Sequence, residues 1–421
     1  MTIGIPVFNG EATITAALDS LLAQTFTDSE ILISDNASTD ATAAICQQYV
    51  RVHPQIVYQR LSGNVGAAAN YRQVLGQARS PYFMWAAADD AWAPGFVGAH
   101  HEFLAANRDY VACQSRVLFT KSGKPSRLAA GTFALRQSPA QNATRFLAKP
   151  GDNSRFYGLY RTAALRAAFP STDFYAFDWA VSAGTLRFGL HNELPEILML
   201  RDETSPLDYL DTLDRCGGTL MTRALPLLGL TRHLLREAGI SNNPSALFAL
   251  AKLNVRQSLR TASYRAHRSA SRHLDQIGAA NMNLRPALTF LAHITAPGIG
   301  QRLANRRKAN AIPSHGELPP KSSTAPEVSL VAVVQDQLPQ LLELYGRLVA
   351  SGESGRLALI IADAGSIDAT QLVFGRRTDV VYLKFGRTEP FDAMQRAAAK
   401  AARGEAQVVL KPGRRFEEAR I

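Results

Sequence analysis

Short apolar runs alternate with amphipathic stretches through the first part of the chain. Ile3 to Phe8 is a compact apolar run containing Pro6 and followed by Asn9-Gly10, the pattern of a strand entering a loop. Glu11 to Gln24 then carries Ile14, Ala17, Leu18, Leu21 and Leu22 at helical spacing. Glu30 to Ser34 predicts a second strand ending in Asp35-Asn36-Ala37-Ser38-Thr39-Asp40, after which Ala41 to Val50 is helical again. A third short strand, Ile56 to Gln59, precedes Asn64 to Asn70, where Gly66 and small residues open a helix over Ala67 to Gln77. A glycine with small neighbours there allows close approach of a ligand or another backbone. This order predicts parallel strands with right-handed crossovers, whose ligand crevice lies at the carboxyl ends of the strands.

Tyr82 to Trp92 is an apolar run that stops at the adjacent carboxylates Asp89 and Asp90, as a buried strand opening into a cleft would. Two acids side by side repel, and a hard divalent cation held partly by a ligand's phosphates is a natural compensation. The plainer reading is a strand-to-loop junction in which one of them caps a turn. Asp35 has the same two readings, ligand-facing carboxylate or turn carboxylate, with Ser38 or Thr39 expected to cap the next helix.

Taken together, Ile5-Pro6-Val7-Phe8-Asn9, Ile33 to Asp40, Asn64 to Asn70 and Asp89-Asp90-Ala91-Trp92 make residues 2–205 resemble glycosyltransferase family 2, enzymes of the GT-A fold. The resemblance implies an α/β nucleotide-diphospho-sugar transferase. It also implies donor contacts from Pro6, Phe8, Asn9, Asp35, Asn64, Gly66, Asn70 and Asp90, with Asp35 gripping base and ribose. Asp89 would be the ligand of a divalent metal, Mn or Mg, that bridges the donor's diphosphate. Where the family's motif begins with a further Asp, this chain has Ala87. The general base is implied at Asp178, in Phe174-Tyr175-Ala176-Phe177-Asp178-Trp179 ahead of Ala183-Gly184, with Phe177 where an acid is usual. Asn153 to Arg161 mixes aromatics with Arg155 and Arg161, which suits a lining for acceptor or diphosphate; Tyr157, Arg161 and Arg201 are the candidates. The same aromatics suit simple packing. Asp202 stands where relatives carry His, so the resemblance supplies no third metal ligand there.

The implied reaction is inverting transfer from a nucleotide-diphosphate sugar, UDP being the commonest choice in the family, to a glycan or lipid-linked acceptor in cell-surface polysaccharide assembly. A catalytically weak glycan- or nucleotide-binding scaffold is the main rival.

The chain has 421 residues, 46% of them hydrophobic, enough for two or three domains. Cys46, Cys113 and Cys216 are far apart and lack metal-ligand spacing, as expected of a reducing compartment. No leader or spanning run is evident, so a cytoplasmic chain is expected, with peripheral contact at the inner membrane face as a further option. The formal net charge of +11 is concentrated between Thr219 and Lys308. There Lys252, Arg256 and Arg260 recur on one face of a predicted helix. A solvated face, an anionic membrane surface and nucleic acid compete for that segment; without a recognition motif and with few aromatics, nucleic acid is not expected.

The expected organisation is a GT-A domain over 1–205, a basic helical segment over 206–308, a linker over 309–327 and a partial α/β domain over 328–421. In the last, Ile361 to Thr370 repeats Ile33 to Thr42 at Ile, Asp, Ser, Asp, Ala and Thr, Ala402-Arg403 repeats Ala78-Arg79, and Phe416 aligns with Trp92. Gly413 and Arg414 stand at the positions of Asp89 and Asp90. The repeat therefore reads as a degenerate, metal-less copy.

Overall fold

The computed structural model describes residues 1–121, 124–203, 213–214, 219–276, 328–350, 357–375, 377, 379–402 and 406–410. Its first seven elements follow the predicted alternation: β1 (Thr2–Val7), α1 (Ile14–Leu22), β2 (Glu30–Asp35), α2 (Thr42–Val52), β3 (Ile56–Arg60), α3 (Ala67–Gln77) and β4 (Tyr82–Trp85). The four strands are parallel, and Val7, Asp35 and Arg60 lie in register at one carboxyl edge. Buried Ile3, Ile5, Ile31 and Ile33 fill the face beneath α1, as strands covered on both sides require.

Beyond β4 the chain changes habit. It runs through β5 (Ala91–Trp92), α4 (Phe96–Ala106), β6 (Tyr110–Lys121), β7 (Lys124–Leu128), α5 (Pro139–Ala148), β8 (Leu159–Arg161), α6 (Thr162–Ala168), α7 (Phe177–Thr185) and β9 (Leu190–Asp202). The sheet order is β3-β2-β1-β4-β8-β6-β9-β5, with β7 on β6. β8 is antiparallel to β4 and β6, and β5 is antiparallel to β9, which brings the loop after β4 against the end of β9.

Among the described residues that follow are the α-helices α8 (Leu220–Ala224), α9 (Leu228–Arg236) and α10 (Pro244–Gln276). The last two pack on α5 and α7 through Leu230, Leu234, Leu250 and Leu253. No helix among the described residues is long and apolar enough to cross a membrane. Cys46 and Cys113 are buried free thiols, and Cys216 lies outside the described residues.

The C-terminal part contains β10 (Val328–Val334), α11 (Leu338–Ala350), β11 (Leu357–Asp363), α12 (Thr370–Phe374), β12 (Val380–Lys384), α13 (Phe391–Ala401) and β13 (Ala406–Leu410). Its strands are all parallel in the order β12-β11-β10-β13, the same order as β3-β2-β1-β4. Several loop bonds recur in the two sheets. Ser38 N donates to Asp35 Oδ1 at 2.8 Å and Ser366 N to Asp363 Oδ1 at 2.8 Å. Tyr58 Oη donates to Asp35 Oδ2, and Tyr382 Oη donates to Asp363 Oδ2. Asn9 and Asp336, both left-handed at φ 53° and 55°, donate their backbone N–H to Ser38 Oγ and Ser366 Oγ respectively, each at 2.9 Å. Arg403, Gly413, Arg414 and Phe416 lie outside the described residues.

The two sheets meet at a seam. Gly95 N donates to Ile367 O at 3.0 Å and Ala369 N donates to Ile197 O at 3.0 Å, so the loop after β11 is tied to α4's entry and to β9. A Cβ on Gly95 would lie 2.9 Å from Ile367 Cβ and 3.0 Å from its carbonyl oxygen, so only glycine fits there. We predict that Gly95→Val, an overpacking of the seam costing about 1–3 kcal/mol, will accelerate exchange of the two amides that donate across it, those of residue 95 and Ala369; unchanged exchange would argue against the seam.

One local expectation is corrected. Ser38 and Thr39 do not cap α2; Asp40 Oδ1 accepts from Thr42 N at 3.0 Å and Glu11 Oε2 accepts from Ala41 N at 2.8 Å. Asn9 holds the two expected caps instead, its N–H on Ser38 Oγ and its Oδ1 on Thr39 N. The left-handed turn at Ala37 (φ 59°) directs both residues toward β1 rather than along the helix.

Candidate functional site

The carboxyl edge of β1 to β4 forms one wall of a cleft. Phe8 is 44% exposed and Asn9 is exposed beside it, while Pro6 is buried in the strand end. Asn36 bridges to the loop after β3: its Nδ2 donates to Asn64 Oδ1 at 3.0 Å and its Oδ1 accepts from Val65 N at 2.8 Å. Asn64 Oδ1 also accepts from Gly66 N at 2.9 Å. Gly66 has φ 87°, which excludes a side chain by conformation rather than by crowding, since nothing lies within 4 Å of a Cβ built there.

Two of the donor candidates are engaged within the fold. Asn70 is buried and exchanges bonds with Ser34, its Oδ1 accepting from the hydroxyl at 2.6 Å and its Nδ2 donating to the carbonyl at 3.0 Å. Asp35 is fully buried, with Ser38 N on one oxygen, Tyr58 Oη at 2.7 Å on the other and Arg60 Nε 3.7 Å away. These bonds seat its carboxylate in the turn after β2.

The acid pair divides its labour. Asp89 is exposed at the cleft, and the desolvation by protein packed around it raises its pKa above the ordinary carboxylate range. Asp90 is 4% exposed; burial pushes its pKa up to about 7, although Arg201 opposes the shift. Arg201 Nε lies 3.3 Å from Asp90 Oδ2, and Asp202 N donates to Asp90 Oδ1 at 3.4 Å. Burial acts to weaken the Arg201 proton, but Asp90, Tyr157, Asp152 and Asp89 around it outweigh that and hold the guanidinium charged. Its plane lies over Tyr157 at 4.6 Å and over Phe119 at 5.3 Å.

Arg201 also reaches the opposite wall, donating from Nη1 to Ser154 Oγ at 3.1 Å. Ser154 belongs to the turn Gly151 to Ser154, whose Asp152 accepts from Ser154 Oγ at 2.7 Å, from Ala130 N at 2.9 Å and from Arg127 at 3.1 Å. The next residue, Asn153, is left-handed (φ 52°) and donates from Nδ2 to Asp178 Oδ2 at 2.8 Å. Ser182 fixes the Asn153 amide through a 3.0 Å bond to Oδ1. Asp178 stands in the first turn of α7, and burial raises its pKa while Asn153 and the Trp179 N–H favour the charged form. Asp90 and Asp178 are thereby linked through Arg201, Ser154 and Asn153, with exposed Asp89 next to Asp90.

Tyr157 belongs to this cluster, its hydroxyl 3.3 Å from that of Tyr71. Arg161 does not. It bonds the carbonyls of Tyr110 at 2.9 Å and Leu104 at 2.8 Å, at the amino end of β4, because β8 runs antiparallel and carries it away from the cleft. Its expected place near acceptor or diphosphate is corrected accordingly. Arg155 is fully buried on Phe133 O and beside His191, and Phe156 stacks on Trp85 at 4.4 Å, so these two serve packing. Phe177 packs against Tyr71, Phe156 and Phe169, which accounts for an aromatic where an acid is usual. Sequence reading missed Asp152 and Arg127; the turn signal Pro150-Gly151-Asp152-Asn153 marked the place but not its partners.

Parallel strands in the order β3-β2-β1-β4 continued by antiparallel ones, with an acid pair after β4, define a nucleotide-diphospho-sugar transferase fold of GT-A type. Residues 2–169 match the family described as Glycosyl transferase family 2. An uncharacterized Mycobacterium tuberculosis protein, Rv1520, is 34% identical over 124 residues, 28% of this chain and 36% of that protein. The putative teichuronic acid biosynthesis glycosyltransferase TuaG of Bacillus subtilis is 28% identical over 120 residues, 28% of this chain and 48% of its own. The chain spans less than half the length of these curated relatives. Staphylococcus aureus TarS 1–349 in complex with UDP-GlcNAc is similar at 18% identity and a TM-score of 0.42, over 60% of this chain and 80% of that one.

Proposed function

We propose that this protein is an inverting glycosyltransferase that moves a sugar from a nucleotide-diphosphate donor, a uridine diphosphate sugar in the first instance, to a hydroxyl of a glycan or lipid-linked acceptor. The observation that carries the reading is the convergence of Asp89, Asp90 with Arg201, and Asp178 on one cleft at the carboxyl edge of a parallel sheet. Asp178 takes the acceptor's proton as its oxygen attacks the anomeric carbon in line. Arg201, held charged between Asp90 and Ser154, faces the developing charge on the departing diphosphate. Phe8, Asn9, Asn64 and Gly66 offer the surface for base and ribose, and Asp35 meets the nucleotide only if Tyr58 moves off its carboxylate. The match to TuaG supports a cell-surface polysaccharide as acceptor.

Among the described residues no group of three or more His, Cys, Asp or Glu side chains could hold a metal ion. A divalent cation nevertheless fits as a shared ligand, because Asp89 is exposed and donor phosphates can complete the shell around one carboxylate. Such a cation, Mn or Mg, would supply charge neutralisation for the diphosphate. The rival reading, a nucleotide-binding scaffold with little activity, is favoured by the commitment of Asp90 to Arg201 rather than to a cation.

Thermal unfolding with each nucleoside diphosphate, with and without manganese, tests the proposal. A ligand at about 100 times its dissociation constant stabilises by about 2.7 kcal/mol, a rise of several degrees in Tm. We expect one nucleotide to do this only with the metal, and Asp89→Asn to abolish it. No shift with any nucleotide at saturation would remove the donor from the reading.

A further inference from the structure

Helix α10 is apolar on two opposite faces. One is accounted for: Ala246, Ala249, Leu250 and Leu253 are buried against Phe146 and Leu147 of α5 and Leu234 of α9. On the outward side Phe248, Val255 and Leu259, spaced by seven and four residues, form a single row with exposures of 62%, 62% and 53%. Ala251, Ala262 and Ala266 lie exposed along the same side. From Phe248 to Ala266 the row is roughly 27 Å long at about 1.5 Å per residue. Beside it run Lys252, Arg256 and Arg260, all exposed, with the Lys252 ammonium 4.3 Å from the Phe248 ring and the Arg260 guanidinium 5.5 Å from that of Tyr264. No Asp or Glu occurs between Pro244 and Leu274, and the nearby Asp214 is paired with Arg223 and Arg265.

We propose that this outward face of α10 docks on an anionic phospholipid bilayer. A bilayer's boundary accepts both halves of the pattern, since Phe, Val and Leu side chains enter the acyl margin while cations at the edge of the row meet headgroup phosphates. A second copy of the chain fits less well, because a two-fold contact centred on this row sets its Lys and Arg edges against themselves. Nucleic acid would leave the aliphatic centre of the row without a partner. The proposal stands independently of the transferase reading.

The test is co-sedimentation of the full chain with phosphatidylcholine vesicles and with vesicles of phosphatidylcholine and phosphatidylglycerol in equal parts. Binding is expected to the anionic vesicles, about tenfold or more weaker to the zwitterionic ones. Two variants address the face, Val255→Ser with Leu259→Ser, and Lys252→Gln with Arg256→Gln and Arg260→Gln. Because these side chains are exposed, both variants should keep the parent Tm, and each should lower partitioning onto anionic vesicles about tenfold or more. The proposal is overturned if the parent chain does not bind anionic vesicles, or if either variant binds as tightly as the parent. It is equally overturned if Val255→Ser with Leu259→Ser turns a dimer into a monomer in analytical sedimentation and leaves vesicle binding unchanged.

Discussion

Replacing Asp178 with asparagine is expected to lower kcat for sugar transfer by about 10²- to 10⁴-fold, the usual contribution of a positioned general base. The substitution keeps size and polarity, so the Asn153 contact and the first turn of α7 should persist. Nucleotide-induced stabilisation should therefore be unchanged, which separates a lost base from a lost fold. The pH profile gives a second check. Burial raises the Asp178 pKa, and the ionised form is the active one, so kcat should fall as pH drops through a value above the ordinary carboxylate range. The Asn153 bond favours the charged form, so Asn153→Ala should move that acidic limb to still higher pH. A profile flat across this range, or full activity in Asp178→Asn, would assign the base elsewhere.

Arg201→Met should be the most destabilising single change at the site. It removes the ion-pair partner of Asp90, a carboxylate with 2% of its side chain exposed, and breaking such a buried pair costs about 3–5 kcal/mol. Asp90 can limit the loss by taking a proton. Its folded pKa is already raised to about 7, above the unfolded value, so its contribution to stability is present below the unfolded pKa and is lost as pH rises through the folded one. Without Arg201 the pKa rises further, and the penalty should be smaller near about pH 5 than near about pH 8. Asp90→Asn in the same chain should recover most of the lost Tm, because no charge is then left buried. Urea unfolding of the four members of this cycle measures the coupling; additive effects would mean that the pair does not act as one.

The parallel half of the sheet was legible in the sequence because each strand is a short apolar run and each loop carries Asn, Asp or Gly. Helix α3 was placed at its own limits, Ala67 and Gln77. The antiparallel half was less legible: Asn153 to Arg161 spans a turn, a short helical turn and a strand, and nothing in their spacing says which side chains face the cleft. That is why Tyr157 and Arg161, only four positions apart, end at opposite edges of the sheet. Asp35 carries a different lesson. The bonds that seal it recur at Asp363, so this aspartate also serves the strand-to-helix turn itself. A motif residue can thus belong to the grammar of a loop as well as to its chemistry.

The seam at Gly95 and Ile197 reaches into the cleft by short steps. Ala93 N bonds Leu198 O at 2.8 Å, and β5 pairs Ala91 with Leu200, the neighbours of Asp90 and Arg201. The loop around Ile367 thereby buttresses the strands that set the acid pair against its arginine. In a genetic screen for lost activity, hits should then fall in two clusters far apart along the gene, and those near codon 367 would look distant from the chemistry while touching the frame that holds it.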